Sequence, residues 1–164
     1  MKFIQPRIRA FEGRDTEAVV GLSLRAWAPV FVSIEQAMES EVYERLYPKG
    51  WRESQRQSVE DVCAAEETRV WVAEVDESIA GFVALDLHPE SGMGEIHMLA
   101  VDPDHQGEGI GTALTEFALD RLKQDGMTVA MVETGGDPGH AAARRTYEKA
   151  GYVQLPIARY FKKL

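Results

Sequence analysis

The chain has 164 residues, 45 % apolar and 27 % charged, which are the proportions of a folded domain and enough for one sizeable core. A formal charge of −9 argues against nucleic-acid binding, because a phosphate backbone would be repelled. The sequence shows no apolar run of the ~20 residues a membrane span needs, no secretory signal in Met1–Arg7, and a single cysteine, Cys63, so no internal disulfide. A reducing cytoplasm, away from membranes, is the expected setting.

In chain order, Arg7 to Phe11 alternates weakly and is expected to form a first strand. Asp15 suits the cap of a helix with Val19, Val20, Leu22 and Leu24 inward, running to Trp27 and broken by Pro29. Ser33-Ile34-Glu35-Gln36 has the form of a capping box and predicts a second helix ending near Lys49-Gly50. A third is expected over Glu53 to Glu66. Val70 to Val75 and Ile79 to Leu87 form the arms of a hairpin around Asp76-Glu77-Ser78. Glu95 to Val101 is another strand. Ile110 to Lys123 carries a strong apolar face (Ile110, Ala113, Leu114, Phe117, Ala118, Leu122) and is a helix stopped by Gly126. Met127 to Glu133 is a strand, and Asp137-Pro138 opens a helix that ends at Gly151. Tyr152 to Leu155 and Ile157 to Phe161 are expected as closing strands. The order β, helices, βββ, α, β, α, ββ predicts one α/β (α+β) domain over residues 1–164. Its sheet would be mixed, largely antiparallel and twisted, with about seven strands flanked by helices.

Gln106-Gly107-Glu108-Gly109-Ile110-Gly111, followed by Thr112, joins a strand to that strong helix. Glycines let the backbone turn its N–H groups onto a ligand, and the helix points its positive end at the same place. Together they suit an anion such as a pyrophosphate. No Gly-Lys-Ser/Thr follows, so the loop is not a P-loop, and the spacing is not that of a dinucleotide fold.

With these motifs the sequence resembles the GNAT superfamily of N-acetyltransferases. The family's pyrophosphate loop, Gln/Arg-x-x-Gly-x-Gly/Ala, is matched by Gln106, Gly109 and Gly111, and Ala143 to Tyr152 resembles its motif around a later helix. The resemblance covers about residues 95–155. It implies acetyl-CoA as acyl donor, no metal, and direct attack by an amine in a ternary complex. It also implies main-chain contacts to the donor from Leu99 and Val101, cradle contacts from Gln106, Gly107, Gly109, Ile110, Gly111 and Thr112, and Tyr147 as the acid facing the sulfur. His140 stands where the family often has Asn, seven residues before Tyr147.

The chemistry itself asks for a neutral amine. A lysine-like amine has a pKa of roughly 10.4, so neutrality at pH 7 costs on the order of 4–5 kcal/mol, and a base eases that cost. Strand alternation places Glu95, His97, Leu99 and Val101 on one face and Ile96, Met98 and Ala100 on the other. Glu95 and His97 would then lie about 6.5–7 Å apart, close enough to share a water relay. The resemblance implies Glu95 as base. The residues alone leave open that Glu95 is an edge carboxylate and His97 a hydrogen-bonded sheet residue. His88, His97, His105 and His140 show no zinc spacing.

The acceptor is expected against the N-terminal helices, where Trp27, Phe31, Tyr43, Tyr47 and Trp51 alternate with Glu35, Glu39, Glu41 and Glu44. These suit a cationic amine, on a small molecule or on a protein or peptide, and equally an amphipathic helical layer. A non-catalytic acetyl-CoA sensor of the same fold is the alternative function, and a monomer or homodimer is allowed.

Overall fold

The computed structural model describes residues 4–164, so the first three residues of Met1–Arg7 lie outside it. The described residues form β1 (Arg7–Ala10), α1 (Thr16–Ala37), α2 (Ser40–Leu46), α3 (Trp51–Ala64), β2 (Arg69–Val75), β3 (Ser78–His88), β4 (Met93–Val101), α4 (Ile110–Gln124), β5 (Val129–Val132) and α5 (Ala141–Lys149). Short 3-10 turns cover Gly13–Asp15, Pro103–His105 and Pro138–His140. The strands lie side by side in chain order. β1 to β4 pair antiparallel, and β5 joins β4 in parallel. A parallel neighbour needs a crossover, and α4 supplies it.

Each face of the sheet carries its own core. On one face α4 sets Ile110, Leu114, Ala118 and Leu122 against Val83, Leu85 and Ile96. On the other, α1 and α3 set Val19, Val20, Leu22 and Val59 against Val72, Phe82, Ala84 and Ala100. β3 is therefore covered on both faces, and its run Ala80–Leu85 is fully buried. Gly94 leaves room for α4: a Cβ there would stand 2.3 Å from a Leu122 methyl. The β2–β3 turn holds Asp76 and Glu77 at φ of 49° and 66°, the left-handed pair a tight hairpin requires.

The structure corrects three expectations. The sheet has five strands among the described residues, not about seven. Residues 152–161 form no strand, and Val153, Leu155 and Ile157 are 93 %, 78 % and 70 % exposed. Apolar alternation gave that segment a strand-like pattern, but among the described residues no strand pairs with it, and Pro156 removes a donor. Second, α1 runs through Pro29 without ending. The missing N–H is outweighed by burial on both sides of the proline: Val19, Val20 and Leu22 before it, Phe31 after it, stacked on Trp51 at 4.5 Å. Third, Ser33 starts no helix. The expected second helix is the last turn of α1 followed by α2, and Gly50, at φ +84°, caps α3.

Residues 13–37 form a 25-residue helical stretch that contains an 18-residue window with a mean hydropathy of 1.4, long and apolar enough to cross a membrane by those two measures. The absence of a span-length stretch is thus not a property of this sequence. Packing against the sheet accounts for the apolar side of α1.

Candidate active site

β4 and β5 pair only from Met93↔Val129 to Ile96↔Val132. Beyond that point β5 ends and β4 continues to Val101, so the two strands part and, among the described residues, the β4 edge from His97 onward has no strand partner on that side. Leu99 and Val101 lie on this open stretch. Their side chains pack toward α4, so any contact with a ligand is left to their main chains. The Val101 carbonyl accepts a 3.2 Å hydrogen bond from Gln106 Nε2.

The glycine loop sits at the mouth of this opening. Gly107 and Gly109 have φ of +82° and +90°, a region costly for residues with a Cβ. Among the described residues nothing stands within 4 Å of a Cβ built on Gly107, and one on Gly111 meets a Val101 methyl at 3.6 Å. Gly109 caps α4 without a side-chain hydrogen bond, so the first-turn N–H groups, including those of Ile110, Gly111 and Thr112, have no side-chain cap. The Ile110 side chain is buried in the core and offers a ligand only its main chain. Residues 102–111 include no Lys or Arg, so an anion here would be held by N–H dipoles and the end of α4. The cradle fits a pyrophosphate. The loop is anchored from behind: Asp102 accepts from the Asp104 N–H at 3.1 Å and pairs with Arg25 of α1.

Tyr147, on α5, is 9 % exposed and meets the Tyr152 ring edge-on at 5.9 Å. Burial pushes its phenol up to about 12. It lines a cavity of about 1160 Å³ together with Met131, Val132, His140, Tyr47 and Glu39, between the end of β5, α5 and the α1–α2 region. His140 bonds the Asp137 carboxylate through Nδ1, which leaves Nε2 as its other polar atom. Asp137 also accepts from Ser33 Oγ at 2.6 Å and from the Gly139 N–H at 3.0 Å. Burial opposes ionisation of Asp137, but the bonds from Ser33 and His140 outweigh it and hold the carboxyl below its usual range. Arg144 donates to the Gly135 and Asp137 carbonyls at 2.5 and 2.8 Å and so fixes the loop before α5. Cys63 is half-buried and its thiol is pushed up to about 11 by burial, the state of an inert packing residue.

Glu95 and His97 do share a face, but not the face that strand alternation gives. The β3–β4 register steps from Ala84↔Met98 to Leu85↔Ile96, which leaves His97 as a bulged extra residue. The bulge resets the pattern: Ile96, Leu99 and Val101 pack toward α4, whereas Met98 and Ala100 pack toward α1. Glu95 pairs with Asp86 on β3 and with Met131 on β5. Glu95, His97 and Asp86 present ligand-type atoms within 4.8 Å of one another. His97 Nδ1 lies 2.7 Å from Asp86 Oδ2, Thr68 Oγ1 donates to Asp86 Oδ1 at 2.6 Å, and His88 Nε2 lies 3.5 Å from Glu95. Strand pairing makes this cluster, which is why spacing along the chain shows no such group. Asp86, Thr68, Ser33 and Asp137 were all missed from sequence. One signal existed for Asp86: a charge inside the otherwise apolar run Phe82–Leu87.

β4 and β5 part beside the glycine-lined start of α4, and the cavity that Tyr147 lines lies at the end of β5. The chain belongs to the acetyltransferase (GNAT) family, whose model matches residues 36–152. It is 30 % identical over 161 residues to a mycothiol acetyltransferase of Kocuria rhizophila, covering 92 % of this chain and 47 % of that protein. It is 37 % identical over 83 residues to that of Streptomyces coelicolor, covering 51 % and 26 %. The chain thus spans half or less of the length of these relatives. Its fold is shared with the ribosomal-protein-S18-alanine N-acetyltransferase of Escherichia coli, with a TM-score of 0.67, 22 % identity, and 93 % and 80 % of the two chains covered. It is also shared with an aminoglycoside 6'-N-acetyltransferase of Acinetobacter haemolyticus, with a TM-score of 0.67, 16 % identity, and 96 % and 98 % covered.

Proposed function

We propose that this chain, as one domain, is an acetyl-CoA-dependent N-acetyltransferase acting on a primary amine in a ternary complex, in the cytoplasm. The observation that carries the reading is the parting of β4 from β5 beside the uncapped, glycine-lined start of α4.

In this reading the N–H groups at Gly107, Gly109, Ile110, Gly111 and Thr112 hold the pyrophosphate, with Gln106 shaping the loop. The main chains of Leu99 and Val101 and the ring of His140 line the path of the pantetheine arm. Acetyl-CoA, when bound, supplies a thioester carbonyl open to attack. A free N–H near Leu99 polarises that carbonyl. Glu95 and His97 take the proton from the amine. Tyr147 faces the departing sulfur. A phenol near 12 is some 3.5 units above an ordinary thiol, so full transfer from it is uphill by about 5 kcal/mol. Tyr147 therefore acts by donating a hydrogen bond that stabilises the thiolate as it forms, and it stays protonated at every physiological pH.

The acceptor is a small-molecule or peptide amine that enters the cavity between α2 and β5, whose lining includes the carboxylates of Glu39 and Glu148, with Glu133 paired to Arg159. The relatives' names put a mycothiol-type acceptor first on a test panel, followed by an aminoglycoside, a polyamine and an alanyl peptide. The test is release of CoA thiol, followed with a thiol reagent, for each amine. Thiol release that depends on one amine supports the reading; binding of acetyl-CoA without thiol release for any amine points to a sensor.

A further inference from the structure

We infer that Thr68, Asp86 and His97 form a relay in which His97 Nε2 is the atom that receives the acceptor's proton, while Glu95 holds the ammonium. This rests on the acetyltransferase reading and goes beyond it, since it names the base, separates it from Glu95 and adds Asp86 and Thr68 as positioning residues.

The geometry is carried by two strands. The bulge at His97 turns its side chain to the face where Asp86 stands, and does so one residue after the last β4–β5 pair, at the fork itself. Asp86 Oδ2 lies 2.7 Å from His97 Nδ1. In the relay Nδ1, facing Asp86, carries the proton and Nε2 carries the lone pair. The other oxygen of Asp86 accepts from Thr68 Oγ1 at 2.6 Å, which stops the carboxylate rotating away. His97 keeps 40 % of its side chain exposed and Asp86 only 21 %, so the ring reaches a substrate and solvent while its partner stays behind it. Glu95, next to Asp86 across the strands, is bonded to no proton donor closer than His88 Nε2 at 3.5 Å. Its carboxyl group stands beside the ring, within 4.8 Å of the His97 and Asp86 polar atoms. The charged and titratable groups that the structure sets around His97 are Asp86 and His88 of β3 and Glu95 of β4; Met131, the partner of Glu95 on β5, is neutral.

The proton balance follows. The ammonium binds beside Glu95 and gives one proton to His97 Nε2, which passes it to solvent. The freed lone pair forms the C–N bond as the C–S bond breaks. The nitrogen's second proton is released while the thiolate takes one up, so acetyl-CoA and an ammonium yield an amide, CoA thiol and one proton. The substrate class is therefore an amine that arrives protonated at neutral pH.

The experiment uses the full chain. Side-chain 15N NMR of His97, assigned with His97→Gln, reports tautomer and titration in the wild type and in Asp86→Asn. The kcat/KM pH profile is measured with the best amine for both, and for Thr68→Val and Glu95→Gln. The expected result is an Nδ1–H tautomer in the wild type that is lost in Asp86→Asn. The loss in kcat should be on the order of 10²-fold, since an Asn amide favours the wrong tautomer. Thr68→Val, which keeps Asp86, guards against a folding defect and should lose a smaller factor in the same parameter. Glu95→Gln should raise KM for the amine more than it lowers kcat. An Nε2–H tautomer in the wild type, a tautomer unchanged in Asp86→Asn, or an Asp86→Asn rate and profile equal to wild type overturns the relay alone. So does an Nδ1 resonance that responds only to added zinc, which would assign the group to a metal. A wild type that transfers to no amine overturns the acetyltransferase reading, and the relay's role with it.

Discussion

Gly109 offers the sharpest test of the anion cradle, because two substitutions there separate backbone cost from charge. At φ +90° an alanine pays the left-handed penalty of roughly 1–2 kcal/mol. For a chain of this size that lowers the melting temperature by about 2–8 °C. If the loop relaxes to relieve the strain, it also tilts one or two N–H groups away from the ligand, at about 1.5–3 kcal/mol for each bond to a charged group. Aspartate adds a carboxylate beside a doubly charged pyrophosphate. At about 5 Å each charge pair costs roughly 1 kcal/mol in water-like surroundings and about 3 at a partly screened surface. Two pairs then give about 2–6 kcal/mol, or at least some 30-fold beyond alanine. Calorimetric titration with acetyl-CoA measures both, at 50 mM and at 1 M salt. The gap between Asp and Ala should narrow at high salt, because the Debye length falls to about 3 Å. Equal affinities for the two variants at low salt would refute the placement of phosphate at this loop.

Tyr147→Phe should lower kcat by on the order of 10-fold or more while leaving acetyl-CoA affinity close to wild type, as measured by steady-state kinetics beside calorimetry. Its raised pKa also predicts alkaline behaviour. Below the unfolded pKa of about 10 the tyrosine is neutral in both states. Between about 10 and 12 only the unfolded chain loses the proton, so stability falls as pH rises, by up to about 1.4 kcal/mol per unit. Urea unfolding from pH 9 to 12 should show a shallower decline in Tyr147→Phe, and an unchanged slope would discount the burial argument. Ser33→Ala removes the hydroxyl that meets both Asp137 and the Gly139 N–H. It should cost about 1–3 kcal/mol, seen as a melting temperature lower by about 2–12 °C, and should also raise the acetyl-CoA Kd if the α5 start belongs to the binding path.

The parts legible in the sequence were those in which a local pattern and the tertiary structure demand the same thing. Ile110 to Gln124 has a helical apolar face and a core that uses it, and the glycines before it are needed by backbone geometry alone. Pro29 and Ser33 show the opposite. Both are good local signals, and both are overruled by contacts far along the chain: Phe31 with Trp51 in one case, Ser33 with Asp137 in the other. The closing segment fails for a third reason, because a strand is a property of two segments and Val153, Leu155 and Ile157 have no second one. The site divides in the same way. Gly109 and Tyr147 come from motifs, whereas the face of Glu95 depends on one extra residue at position 97, and no periodicity in β4 marks a bulge. Asp86 and Thr68 join the cluster only through the pairing of β3 with β4 and the entry to β2.

One helix ties the two halves of this site together. Arg25, midway along α1, holds Asp102 at the root of the glycine loop, and two turns later Ser33 holds Asp137 at the entry to α5. The same helix carries Phe31 and the lip of the acceptor cavity at Ile34 and Ala37. A change that tilts α1 to admit a larger acceptor therefore also moves the anchors of the donor loop. Changes within α1 thus act on both substrates together. New acceptor specificity would arise more freely in α2 and the segment after α5, which line the cavity without gripping either anchor.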